Sequence, residues 1–165
     1  MADDPLVTLA AQLGTTLTQR GWTIALAESC TGGMASQYIT AIPGSSTSFE
    51  RGFVTYSNSA KIELLDVSPE ILERCGAVSE ETALEMAKGA LAHSHTQLTG
   101  AITGIAGPDG GTPDKPVGMV CFAWAGPDGS LHSETHHFQG DRDAIRRQSV
   151  ETLFKGLLRL ANGAT

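Results

Sequence analysis

The sequence predicts an α/β fold, a three-layer α/β/α sandwich built on a mixed, mostly parallel sheet with a C-terminal hairpin. Helical periods alternate with short apolar runs through the first two-thirds of the chain. A Gly-Pro-Asp-Gly turn signal then separates two further strand-like runs, and a long helical stretch closes the sequence.

Leu6, Leu9, Ala10, Leu13 and Leu17 recur at helical spacing between Pro5, acceptable in a first turn, and Gly21, a natural stop. That is the first helix. Thr23–Ala27 reads as a buried strand, Glu28-Ser29-Cys30-Thr31-Gly32-Gly33 as the loop after it, and the segment through Ile39 as a second helix. Pro43-Gly44-Ser45-Ser46 is a break before a second strand, Phe49–Tyr56. Asn58 is expected to cap a helix that carries Lys61 in its first turn. Ser68-Pro69 opens a short helical piece, and Ser79-Glu80-Glu81-Thr82 opens a longer one with Ala83, Met86, Ala87, Ala90 and Leu91 on one face. Leu98–Ile105 is the third strand, followed by a Gly- and Pro-rich loop, 106–113. Val117–Ala125 and Leu131–Phe138 flank the hairpin turn, and the last helix runs from Asp141 to Ala161.

A chain of 165 residues with 41% hydrophobic side chains has the size and material for one domain, expected to span residues 1–165. Its net charge of −7 opposes binding to nucleic acid or anionic lipid, the only dense basic patch being Arg142, Arg146 and Arg147. The longest nearly apolar run, Val117–Gly126, is half of the roughly 20 residues that cross a bilayer. Met1-Ala2-Asp3-Asp4 has neither the basic nor the apolar region of a secretory leader. Cys30, Cys75 and Cys121 are odd in number and lack CxxC spacing, which fits reduced thiols. A cytoplasmic location is therefore expected, and a homo-oligomer, taken as a dimer.

Ser29 stands where a buried strand should end and a helix begin, among small residues that leave backbone N–H groups accessible. A serine there can attack a carbonyl while those groups hold the developing oxyanion. The surrounding residues do not match GxSxG, and Ser29 and Thr31 serve equally well as simple caps of the second helix. A serine nucleophile needs a base, and an unperturbed lysine is neutral in only about one molecule in 2,500 at pH 7. The positive end of a helix dipole and burial would both lower the pKa of Lys61. Tyr56, at the end of the preceding strand, would relay a proton or orient the amine. The plainer alternative is a solvated lysine beside a partly buried aromatic. Cys30 is a rival nucleophile, since a thiol at a helix N-terminus is expected to have a lowered pKa.

His93 and His95 lie two apart on the predicted helix and His136 and His137 are adjacent on a strand, so neither pair has metal-ligand spacing; His132 stands alone. No metal site is expected. The glycines of Gly104-Ile105-Ala106-Gly107-Pro108-Asp109-Gly110-Gly111 would let backbone approach a ligand, although the loop matches neither GxGxxG nor the Walker pattern. Arg142 and Arg146, four apart on the last helix, would hold an anion, or else pair with Asp141 and Asp143.

The segments 27–33 (AESCTGG), 49–58 (FERGFVTYSN), 76–79 (GAVS), 104–111 (GIAGPDGG) and 140–142 (GDR) together resemble the CinA C-terminal domain family over almost the whole chain. The resemblance implies hydrolysis of the carboxamide of nicotinamide mononucleotide to nicotinate mononucleotide and ammonia, with a small-molecule nucleotide as partner and no cofactor. It places a catalytic serine on Ser29, lysine on Lys61 and tyrosine on Tyr56. A hydroxyl residue that orients the lysine or the substrate falls on Thr103. Backbone from Cys30 through Thr31, Gly32 and Gly33 is the expected oxyanion hole; Gly104 and Gly107 are expected at the substrate, with Arg142 and, on spacing alone, Arg146. Two alternatives stay open: an amidase using Cys30 with Lys61, and a nucleotide-binding module without chemistry.

Overall fold

The computed structural model describes residues 3–163; Met1 and Ala2 of the leader reading, and the last two residues of the expected domain, lie outside them. Helix α1 (Pro5–Arg20) starts where the Asp4 carboxylate accepts the Leu6 N–H at 3.0 Å, and Gly21 ends it. Strand β1 (Ile24–Glu28) follows, then α2 (Met34–Thr40), β2 (Phe49–Val54), α3 (Asn58–Leu65), α4 (Pro69–Cys75) and α5 (Glu80–Ala92). Strands β3 (Leu98–Gly104), β4 (Met119–Ala125) and β5 (Leu131–His137) precede the last helix, α6 (Arg142–Ala161).

Three of the caps are those the sequence offers. Ser68, Ser79 and Asp141 each accept a backbone N–H three residues on, from Ile71, Thr82 and Ala144. The cap of α3 differs: Ser57, not Asn58, accepts the Ala60 N–H, and Asn58 is the first helical residue. Helix α5 stops at Ala92, so His93 is its cap and His95 lies in the loop beyond, not on the helix as expected.

The five strands run in the order β2-β1-β3-β4-β5. β1 pairs in parallel with both β2 and β3, whereas β3–β4 and β4–β5 are antiparallel. The sheet is thus mixed, its parallel part being the three strands joined through helices and its antiparallel part the hairpin. Helix α2 leads from β1 to β2 over one face, and α3–α5 lead from β2 to β3 over the other. The carboxyl ends of β1, β2 and β3 therefore open together at a point where the connections diverge, the usual place for a ligand in such sheets.

The two faces are packed with side chains of different size. Leu26, Ile102, Phe122 and Trp124 join Leu13, Leu17, Leu153 and Leu157 in the core under α1 and α6. On the other face Ala27, Ala101, Cys121 and Ala123 meet Ala83, Ala87 and Ala90 of α5. Small residues on both sides let α5 lie close to the sheet, and α3 in turn lies close to α5. A Cβ placed on Gly89 would sit 1.9 Å from the Leu65 carbonyl oxygen at the end of α3, so only glycine permits this approach.

Gly89→Ala is accordingly expected to force α3 away from α5 and to destabilise the fold by about 1–3 kcal/mol, the usual cost of overpacking. Thermal unfolding followed by circular dichroism measures this; a melting temperature equal to that of the unaltered chain contradicts it.

Candidate active site

Ser29 is the first residue beyond β1, and its backbone is fixed on both sides: its N–H donates to Ile102 O at 3.0 Å, and its carbonyl accepts the Gly32 N–H at 3.0 Å. Lys61 stands in the first turn of α3, as its position four residues after the cap requires. Its side chain does not reach solvent. It runs inward, 1% exposed, and sets Nζ 3.0 Å from Ser29 Oγ. The same nitrogen lies 3.0 Å from Thr55 O and 3.2 Å from Tyr56 O. Burial lowers the Lys61 pKa, because desolvation penalises the ammonium.

These three contacts constrain the amine. Backbone carbonyls only accept, so both must take N–H groups from Nζ. A neutral amine has two N–H groups and one lone pair; with both N–H groups committed, its lone pair faces the Ser29 hydroxyl. A protonated amine places its third N–H on the same oxygen. Either state is fully hydrogen-bonded, and passing between them requires only that a proton cross the 3.0 Å gap between Oγ and Nζ.

Tyr56 takes part differently from the expectation. Its carbonyl holds the lysine, whereas its side chain is 63% exposed and its hydroxyl makes a long 3.4 Å contact with Arg142 Nη2. The phenol does not touch Lys61 and relays no proton to it in this arrangement. Thr103 is buried and donates its hydroxyl to Ala77 O at 2.7 Å, so it orients the 76–79 turn rather than the amine.

Glu28, which the sequence reading passed over as a loop residue, is the last residue of β1 and wholly buried. Its Oε1 accepts from Thr31 Oγ1, Gly33 N and Ala35 N, and its Oε2 from Ser36 N and Oγ. The carboxylate therefore caps α2 from below, at the end where a helix favours negative charge. Neither Ser29 nor Thr31 serves as that cap. The available signal was a charged residue at the end of an apolar strand, which must find partners to be buried at all.

This network narrows the expected oxyanion hole. The Gly32 N–H is taken by Ser29 O and the Gly33 N–H by Glu28, while the Thr31 side chain faces Glu28. Among the described residues, the N–H groups of Cys30 and Thr31 find no oxygen acceptor. The Cys30 side chain packs into the core under α1 and α6, and burial pushes its thiol up to about 12, opposite in direction to the lowering expected at a helix N-terminus. The reason is depth. The helix proper begins only at Met34, so desolvation outweighs any dipole at Cys30.

Ser29, Cys30, Tyr56, Asn58, Lys61, Thr103, Gly104, Gly107, Asp109 and Arg142 line one cavity of about 270 Å³. Gly107 holds a positive φ of 78° and turns its carbonyl to accept Arg142 Nη1 at 2.7 Å. Gly104 instead packs tightly on Val120. Arg146 stands behind the site: its Nε donates to Cys30 O at 3.1 Å and its Nη2 to Thr31 O at 2.9 Å. It does not line the cavity, which removes it from direct substrate contact. Neither arginine pairs with Asp141 or Asp143.

Histidine contributes nothing here. His132 and His136 both meet Glu134 at 2.8 Å on β5, so His132 is not isolated as its sequence suggested. Among the described residues no group of three or more His, Cys, Asp or Glu could hold a metal ion, and no helix is long and apolar enough to cross a membrane.

Residues 6–161 match the CinA C-terminal domain. The chain is 49% identical over 162 residues to the Escherichia coli (strain K12) protein named nicotinamide-nucleotide amidohydrolase PncC, covering 96% of this chain and 98% of that one. A CinA-like protein of Syntrophotalea carbinolica is 54% identical over 143 residues, which are 87% of this chain and 34% of that longer protein. Among solved structures, the competence/damage inducible protein CihA of Agrobacterium tumefaciens has a TM-score of 0.91 and 42% identity, covering 95% of each chain.

The three thiols should separate cleanly in the native protein. Cys30 and Cys121 are buried with raised pKa values, whereas Cys75 is half-buried. Titration with a thiol reagent at pH 8, read by peptide mass spectrometry, should modify Cys75 alone until the chain is unfolded. Rapid labelling of Cys30 in folded protein would contradict this placement.

Proposed function

The chain belongs to the CinA C-terminal domain family, and on that premise we propose that it is an amidohydrolase acting on nicotinamide mononucleotide by a Ser/Lys mechanism. One observation carries the proposal: Ser29 Oγ is 3.0 Å from a buried lysine amine whose other contacts are two carbonyls. The name carried by the full-length relatives supplies the substrate class.

In the first step Ser29 Oγ attacks the carboxamide carbon while its proton passes to Lys61 Nζ. The carbonyl oxygen of the substrate becomes an oxyanion, and the Cys30 N–H, on the cavity wall, is its donor. Lys61, now an ammonium held by Thr55 O and Tyr56 O, gives its proton to the leaving nitrogen. Ammonia departs and a nicotinoyl ester remains on Ser29. Water then attacks the ester carbon, losing its proton to the neutral amine, and the ester oxygen recovers that proton as nicotinate mononucleotide leaves. Amide and water become acid and ammonia, with no redox change and no cofactor in any step. Arg142, held by Gly107 O at the cavity wall, is the group that would meet the phosphate of the substrate on this reading. Such a reaction belongs to pyridine nucleotide salvage, and a cytoplasmic enzyme fits it.

The test is ammonia release from nicotinamide mononucleotide and from free nicotinamide, measured in parallel. Turnover of the nucleotide is expected, and Ser29→Ala and Lys61→Ala should each lower kcat by about three orders of magnitude or more. Cys30→Ala should keep most of it. Thermal stabilisation by the nucleotide with no ammonia from any pyridine amide would instead identify a binding module.

The pH profile tests the base. Lys61 works only when neutral, so kcat/KM should rise with pH through the pKa of the folded free enzyme. Since burial lowers that pKa, the rise should fall below the 10.5 of an ordinary lysine. Lys61→Arg should be inactive at every pH examined, because a guanidinium keeps its proton.

A further inference from the structure

We propose that Arg146 is a positioning residue that sharpens the oxyanion donor through a relay of two peptide groups, without touching the substrate. The chain of bonds is continuous. Arg146 Nη2 donates to Thr31 O at 2.9 Å; the N–H of that same peptide belongs to Gly32 and donates to Ser29 O at 3.0 Å. The N–H of the Ser29 peptide belongs in turn to Cys30, which lines the cavity and finds no oxygen acceptor. A guanidinium thus stands at one end of an aligned series and an open donor at the other.

Hydrogen bonding to a peptide carbonyl draws electron density toward its oxygen and makes the N–H of the same peptide a stronger donor, so aligned bonds reinforce one another. A full positive charge at the head makes the polarisation larger than a neutral donor would. Arg146 is suited to this in two further ways. Its Nε holds the neighbouring Cys30 O at 3.1 Å, so two successive peptides of the loop are fixed by the one guanidinium. Its charge is also not neutralised: among the described residues its hydrogen bonds go to these two carbonyls and to no carboxylate. By contrast Arg147, one residue on, is bound to Asp4 at 2.7 Å. From the opposite side Glu28 takes the Gly33, Ala35 and Ser36 N–H groups, so the loop is held between an anion on its donors and a cation on its acceptors. What remains open toward the cavity is the Cys30 N–H.

The inference rests on Ser29 as nucleophile and is tested apart from the identity of the amide. Wild type, Arg146→Gln and Arg146→Lys are treated with a fluorophosphonate that phosphonylates serine, and adduct formation on Ser29 is followed by mass spectrometry. The final amplitude counts competent sites, whereas the rate constant reads stabilisation of the developing P–O⁻ charge. Arg146→Gln is expected to slow phosphonylation by about tenfold, less than the 10²–10³ that loss of a whole oxyanion donor costs. Arg146→Lys, a more hydrated point charge without the fork, should fall between the two. With the nucleotide substrate, kcat should drop in parallel, with KM and the acid limb of the pH profile unchanged. A merely structural role would reduce amplitude and leave the rate constant alone, which overturns the proposal; so does a loss confined to KM. If Arg146→Gln does not fold, a wild-type rate constant in Arg146→Lys overturns it. Wild type that is phosphonylated but releases no ammonia refutes the substrate and leaves the relay standing. Wild type that is not phosphonylated refutes the serine and the relay together.

Discussion

The site depends on keeping one amine out of water. A buried ammonium is costly, and the structure lowers that cost by offering Lys61 two carbonyls and a hydroxyl, enough partners for either protonation state. Everything near it follows from this need. The carbonyls of Thr55 and Tyr56 are free to accept because β2 ends at Val54 and its pairing with β1 lapses. The side chain can enter from the first turn of α3 because α3 lies close to the sheet, and α3 lies close because α5 beneath it is built of alanines and Gly89. The small residues of this layer are thus part of the chemistry, although none touches the cavity.

The opposite layer supplies rigidity. Trp124, Phe122 and the leucines of α1 and α6 fill the core beneath the loop after β1. Asp4, Tyr38 and Arg147 tie α1, α2 and α6 together at 2.6–2.9 Å. Arg146 is therefore delivered to the loop by a helix that cannot easily shift. An oxyanion donor stabilises charge without reorganisation only if its own position is fixed beforehand. Glu28 below, through three backbone N–H groups and the hydroxyls of Thr31 and Ser36, and Arg146 behind, through two carbonyls, meet that condition.

How much of this was legible depends on the range of the signal. Helical spacing, short apolar runs and turn signals located the five strands and six α-helices, and the residues read as opening α4, α5 and α6, Ser68, Ser79 and Asp141, are their caps. The juxtaposition of Ser29 with Lys61 was accessible only in part: a strand-end serine and a first-turn lysine are local features, but a sequence separation of 32 gives no distance. What escaped was tertiary. Cys30 looked activated because its loop leads into a helix N-terminus, whereas the fold turns the thiol into the core, where burial raises its pKa. Tyr56 was assigned a role for its phenol when its carbonyl does the holding, since a sequence pattern says nothing of which end of a residue faces a partner. Glu28 was missed for the opposite reason: the strand was taken to end one residue early, which moved a buried carboxylate onto a loop.

The distribution of charge gives these local facts a common sense. The chain carries −7 overall, and its basic side chains on the outer surfaces are largely spent on carboxylates: Arg51 on Glu50, Lys88 on Glu85, Lys155 on Glu151 and Arg159 on Glu134. Arg142 and Arg146 instead hold carbonyls at the carboxyl end of the parallel strands, as Arg20 and Lys115 do singly elsewhere. A carbonyl orients a guanidinium without cancelling its charge, so the positive field survives there and nowhere else in the loop layer is it needed. On the proposed function, the anionic substrate would meet at this opening a guanidinium whose charge no carboxylate cancels. On the proposed mechanism the same positive charge would also favour the oxyanion formed after attack. Net charge and the charge at this end of the sheet are therefore opposite in sign, because Arg142 and Arg146 are oriented by carbonyls, which leave their charge intact.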